Sequence, residues 1–297
     1  MLLKPVRTRR LRDGAWVVVA EESEPLVVSE AVAKVLQGQN EASDSCVLSP
    51  LVDTLLDAGF TKENSTEIAK RPPGAPLSIG WKTARVALWM SGAVFFVSSV
   101  TLFLHNGIPT GVDVISPDSH PLLTVVTALG IALATAVPHE FAHIVFGNVL
   151  GHRRVVRVRV HRALATTSLT HVWAWPLSQR LAAVAAGIIV DLAFLALALG
   201  LRTFTGSWIA TTAVSVMVIR ILWQFRFHRN CDGRHIAKML LDDPLISLEI
   251  KQIATSRLRS APHAAWGLAL VAVGALAELT LLTVWFIPAV LRLVGML

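Results

Sequence analysis

Five apolar runs, each about as long as a bilayer is thick, dominate the sequence after residue 83. They cover 84–104, 122–147, 180–201, 207–225 and 264–287. A helix needs roughly 20 apolar residues to cross a hydrocarbon core of about 30 Å. In lipid every backbone N–H and C=O must be paired, which a helix does within its own segment. The expected fold is therefore mainly α, a polytopic transmembrane bundle of five spans. A sixth arises if the last run, which continues past Pro288, divides into two short re-entrant pieces. Composition agrees with this reading: 54% of residues are hydrophobic and only 16% are charged, more apolar than a soluble chain usually is.

The net charge of +7 is placed for membrane topology. A nucleic-acid-binding chain gathers its cations on one face, whereas these lie at the ends of apolar runs, so no nucleic-acid partner is expected. Loop 148–179 carries Arg153, Arg154, Arg157, Arg159 and Arg162, and loop 226–263 carries Arg226, Arg229, Arg234, Lys238, Lys251, Arg257 and Arg259. Loop 105–121 has no Lys or Arg, and the short link near Thr205 has only Arg202. This alternation puts the N-terminus in the cytosol and the C-terminus outside. The expectation is a multi-pass integral membrane protein, of the plasma membrane if the chain is bacterial. Cys46 and Cys231 form no disulfide framework. The N-terminal MLLKPVRTRRLRDG has no apolar core after its charges and does not read as a secretory signal.

Residues 1–75 read as a small soluble α+β domain ahead of a membrane domain at 76–297. Stretches 6–11 and 16–20 flank the turn Asp13-Gly14 as two strands, and 26–28 is a third. Ser29 precedes a helical apolar stripe of Ala31, Val32, Val35 and Leu36. A second helix is expected over 50–58, stopped by Gly59. Three strands followed by helices suggest a winged-helix-like module, with 61–76 as a linker rich in Pro and Gly.

The chemistry is concentrated in the second run, at His139-Glu140-Phe141-Ala142-His143. On a helix, residues i and i+4 stack on one face, so both imidazoles can reach one metal ion. Glu140 lies beside them, placed to take a proton from an attacking water and pass it to a leaving amine. Three ionisable residues inside an apolar span are costly, and such groups are usually functional. The bland alternative is a polar interhelical cluster without metal. A catalytic zinc keeps one open position, so a third protein ligand is expected. His139 lies about 26 Å along the helix from Leu122, near the cytosolic margin. Asn230-Cys231-Asp232-Gly233 follows the fourth run at the same margin, and Asp232 supplies a hard oxygen ligand there. Read in isolation, Asp-Gly would be an ordinary turn.

HEFAH in a membrane helix, followed by NCDGRH after a later span, resembles the site-2 protease family of membrane zinc metalloproteases. The resemblance covers about residues 84–245. It implies one catalytic Zn²⁺ held by His139, His143 and Asp232, with Glu140 as general base. Cys231 stands where that family commonly has proline. The segment Ala186-Gly187-Ile188-Ile189-Val190-Asp191 is similar to the family's AGPxxN or AGPxxD stretch, with Ile188 in place of proline. WAWPLSQRLAAVAAG is similar to the peptide-maturation branch, in which a Thr-Asp pair often precedes this segment; here Thr170-His171 stands in its place. The order of elements in 1–60, with LVVSEAVAKVLQG and LVDTLLDAGF, is similar to precursor-peptide recognition domains. A regulatory or folding module is the alternative.

Several further groups have two readings. Asp191, in the middle of the third run, either orders the substrate backbone or the zinc-bound water or packs against Arg220 of the next span. Glu278 is expected in the outer half of the last span, in packing or lining a water cavity. His235 and Asn230 are candidate groups for contacting substrate or supporting a ligand, with a solvated loop as the alternative for His235. Pro138 either kinks the helix beside the metal or is a tolerated membrane proline. Val155, Val156, Val158 and Val160 alternate with Arg157 and Arg159, which predicts a strand. The expected function is hydrolysis of a peptide bond near the cytosolic membrane face. Its substrate would be a precursor peptide, in peptide maturation, or a membrane protein, in regulated intramembrane proteolysis. The alternative is a non-catalytic zinc-binding membrane protein that chaperones or exports a peptide.

Overall fold

The computed structural model describes residues 3–38, 49–61, 71–115, 120–150, 156–159, 164–167, 169–227, 229, 231–246 and 264–295. The chain divides into two compact units, one of 1–77, 143–183 and 238–258, the other of 78–142, 184–237 and 259–297.

In the first unit, β1 (Val6–Arg10), β2 (Trp16–Ala20) and β3 (Leu26–Val28) form an antiparallel sheet in the order β1-β2-β3. The register pairs Val6 with Ala20 and Trp16 with Val28. Strand β2 is central, and Val17, Val18 and Val19 are fully buried, as expected of a strand covered on both faces. Helix α1 (Glu30–Leu36) follows Ser29, and a 3-10 turn (Ser49–Leu51) leads into α2 (Val52–Asp57). Their apolar faces close a small core of Val6, Val18, Ala20, Val32, Leu36, Leu55 and Phe60. Three strands and two helices thus appear in the order read from the sequence. Most of the expected linker, and Cys46, lie outside the described residues. Strands β4 (Val156–Arg159) and β5 (Leu164–Thr167) form a separate antiparallel hairpin. The alternation at 156–159 does make a strand; Val155, Val160, Arg153, Arg154 and Arg162 lie outside the described residues.

Among the described residues, four helices are long and apolar enough to cross a membrane: Ile79–Asn106, Pro121–Phe146, Leu177–Thr205 and Ala265–Leu293. We number the helices here α3 (Ile79–Asn106), α4 (Gly111–Val114), α5 (Pro121–Phe146), α6 (Leu177–Thr205), α7 (Trp208–Trp223), α8 (Asp232–Leu241), α9 (Ala264–Thr280) and α10 (Ile287–Leu293). The protein is a membrane-type helical bundle with a small α+β part at its N-terminus. One expectation changes, and one alternative falls away. The run at 207–225 forms only the 16-residue α7, about 24 Å at 1.5 Å per residue, shorter than the hydrocarbon core. The last run does not divide: a π-helical segment, Leu281–Phe286, joins α9 to α10 without a break. Gly111, at the start of α4, packs backbone to backbone against that segment; a Cβ there would lie 1.9 Å from the carbonyl oxygen of Trp285. Within the second unit, Leu195, Leu199, Val214, Met217, Leu281 and Trp285 form a buried cluster that joins α6, α7 and the π segment.

Candidate metal centre

Helix α5 runs unbroken from Pro121 to Phe146 with Pro138 inside it, so Pro138 is a membrane proline tolerated within the helix. His139 and His143 stack one turn apart on this helix, and both are buried, with relative exposures of 4% and 3%. Glu140 is half-buried beside them.

Each imidazole is oriented through its Nδ1. In His139, Nδ1 lies 2.9 Å from Oδ2 of Asp191. In His143, Nδ1 lies 2.9 Å from the carbonyl oxygen of Ala183. A carbonyl and a carboxylate only accept, so each Nδ1 donates; in a neutral imidazole the other nitrogen, Nε2, is then the lone pair. Nε2 of His139 faces Oδ2 of Asp232 at 3.1 Å. A lone pair and a carboxylate oxygen at that distance repel unless a proton or a metal cation lies between them. Two tetrahedral zinc ligands, each about 2.0–2.1 Å from the ion, would themselves stand roughly 3.3 Å apart. His139, His143 and Asp232 each offer one ligand atom, and the three atoms lie within 4.8 Å of one another. This buried cluster can hold a metal ion. Two imidazoles and one carboxylate are a donor set that suits zinc and other borderline divalent ions alike.

Asp191 is the central residue of α6 and is fully buried. Its Oδ1 accepts from Nε of Arg220 at 2.8 Å while Oδ2 accepts from His139. The packing reading of this residue holds, through Arg220, and its hold on Nδ1 of His139 is a further contact that the sequence did not name. The Arg220 side chain also donates to the carbonyl of Ala132 on α5, at 3.4 Å.

Asp232 is not in a turn. It is the first residue of α8, and its N–H donates to Oε1 of Gln224 at 3.1 Å. Gly233 is needed for close approach rather than for a left-handed backbone: a Cβ there would lie 2.1 Å from the carbonyl oxygen of Gln224. The thiol of Cys231 points to the same carbonyl at 3.1 Å and to that of Arg226 at 3.6 Å. Burial pushes the Cys231 thiol pKa up, with Asp232 acting in the same direction, while the local backbone N–H and arginines oppose this less strongly. Turned to these two carbonyls, the thiol is not among the clustered ligand groups. His235 is exposed one turn along α8 and is not among the clustered ligand groups. Asn230 lies outside the described residues.

Glu278 has a packing role, one of its two expected readings: it pairs with Arg229 at 3.0 Å and with Arg226 at 3.6 Å. Arg226 also stacks over Trp223, 3.3 Å from the ring centroid.

Three structural supports escaped the sequence reading. One is the Gln224 amide oxygen behind Asp232. Another is His171, whose Nε2 lies 2.8 Å from the Gly147 carbonyl and satisfies the end of the HEFAH helix. The third lies in the first unit, where Asp242 is clamped by Arg9 at 2.7 Å and Arg180 at 2.6 Å. A lone arginine early in an apolar helix was the available signal for that ion cluster. The chain matches no protein-family model, and no curated protein and no solved structure resembles it at a significant level.

Proposed function

We propose that this chain is a membrane-embedded zinc metalloendopeptidase of site-2 protease type, hydrolysing peptide bonds near the cytosolic face of the membrane. The observation that carries the reading is the donor geometry around His139. Its Nδ1 is held by a buried carboxylate while its Nε2 confronts Asp232. Metal-ligating histidines are characteristically held this way, through the far nitrogen by a carboxylate or a carbonyl. His139, His143 and Asp232 would hold the ion, which when bound supplies Lewis acidity at a substrate carbonyl and lowers the pKa of water. Glu140 accepts the proton of the attacking water and returns it to the amine as the peptide bond breaks. Arg220 donates to Oδ1 of Asp191, and Oδ2 of Asp191 holds Nδ1 of His139 so that Nε2 is presented to the ion. The apolar surroundings of α5 and α6 keep bulk water away, so these charges act at full strength.

The N-terminus is cytosolic in this account, as the arginine-rich loops favour. The substrate is a precursor peptide or a membrane protein, presented in extended form. The hairpin of β4 and β5 gives one edge on which such a chain can add as a strand. Mass spectrometry of candidate peptides from cells carrying wild-type or Glu140→Gln protein tests the reading. A cleaved product that disappears with the variant supports it. Identical peptide profiles favour the non-catalytic peptide chaperone or exporter instead.

A further inference from the structure

A cleft of about 530 Å³ opens in the first unit. Arg7 of β1, Arg71, Gly74, Leu77, Trp175 and Pro176 line it. Its floor is built. The indole of Trp175 is buried and donates to the carbonyl of Pro73 at 3.0 Å. Arg7 donates through Nε to the carbonyl of Pro72. Arg71 donates through Nε to the carbonyl of Val6 at 3.2 Å. Anchored in this way, each guanidinium can present its terminal nitrogens as a fork, the arrangement that suits phosphate and carboxylate. Gly74 allows the approach: a Cβ there would meet Nη2 of Arg7 at 2.8 Å.

The two cations stand close without a counter-anion. Among the described residues no carboxylate pairs with Arg7 or Arg71. Burial first, and then the charge of Arg71, lower the pKa of Arg7. Two guanidiniums side by side in a roomy cleft favour an anion between them.

Position in the chain names the kind of anion. Leu77, 68% exposed, lies two residues before the membrane helix that starts at Ile79. Pro176 directly precedes the membrane helix that starts at Leu177. Both ends of the cleft therefore belong to chain about to enter the bilayer, at headgroup level, where basic pockets meet anionic lipid. Lys82 and Arg85 continue the cationic zone in the first turns of α3.

We propose that this cleft binds the headgroup of an anionic phospholipid, with Arg7 and Arg71 on the phosphate and Leu77 against the first acyl carbons. The full chain, reconstituted in nanodiscs of equal parts phosphatidylcholine and phosphatidylglycerol, is released into native mass spectrometry and its retained lipids are counted. The wild type is expected to retain phosphatidylglycerol preferentially. Two cations near an anionic surface are together worth about thirtyfold in partition, so Arg7→Gln with Arg71→Gln removes a preference of that order. Should the double variant not fold, Arg71→Gln alone, at an exposed position, is expected to lose about fivefold. An equal loss from Lys82→Gln with Arg85→Gln would reduce the effect to general surface charge and overturn the cleft. Displacement of the lipid by millimolar inorganic phosphate, or by a soluble acidic peptide at lower concentration than lipid, would overturn the assignment to lipid. Unchanged retention in the arginine variants would do the same.

Discussion

Oδ2 of Asp191 lies 2.9 Å from Nδ1 of His139, inside a bundle where the aspartate has no exposed surface. This pair ties the middle of α6 to the metal-facing imidazole. Asp191→Asn keeps the side-chain volume but removes the charge, so the hold on the Nδ1 proton weakens. Loss of such an outer partner typically lowers metal affinity about 10–100-fold. Competition with a chelator of known affinity measures it. An affinity equal to wild type would show that His139 does not depend on Asp191.

The close approach at Gly233 makes a second prediction. In Gly233→Ala the new Cβ would sit 2.1 Å from a backbone oxygen, which no rotamer change can relieve. Overpacking of this kind costs about 1–3 kcal/mol, and here the displaced residue is next to Asp232. A lower unfolding temperature together with reduced metal content is expected. Loss of stability with full metal content would mean that Asp232 does not act as a ligand.

Much of this site was legible because its signals are local. HEFAH sits on one helix, and helical stacking follows from the spacing alone. The depth match between His139 and Asp232 also followed, from charge bias and rise per residue. What escaped were contacts made by groups without a pattern: the Ala183 carbonyl, the Gln224 amide and the choice of partners for Asp191. Backbone carbonyls carry no sequence signature. Hydropathy over 207–225 does not reveal that only 16 residues become helix. The strands of the N-terminal part were readable from alternation and the Asp13-Gly14 turn, whereas Asp242, between Leu241 and Asp243, offered no hint of its two arginine partners.

Asp242 sets the acid limit of the first unit. Its carboxylate is buried, which by itself opposes ionisation. Hydrogen bonds from Arg9 and Arg180 outweigh that penalty and hold its pKa below the usual carboxylate value. A group with a depressed folded pKa stabilises fully above its unfolded pKa of about 3.9 and loses this as pH falls through the lower folded value. Asp242→Ala leaves Arg180 buried beside Trp173 without its carboxylate, a change that costs about 3–5 kcal/mol. Asp242 has φ of 57°, a left-handed conformation that asparagine tolerates. Asp242→Asn should therefore fold with less stability at neutral pH and a shallower acid limb. Thermal unfolding between pH 3 and 7 reads both effects; identical limbs in the two proteins would remove Asp242 from the acid transition.

The central claim is that Glu140 moves the proton while His139, His143 and Asp232 hold the metal. Purified Glu140→Gln protein should bind one zinc ion per chain with near wild-type affinity and cleave a peptide substrate at least about 100-fold more slowly, the scale of general acid–base catalysis. Metal content and cleavage measured side by side on that variant test it most directly. Retained zinc with lost cleavage is the predicted result, and full cleavage by the purified variant would contradict it.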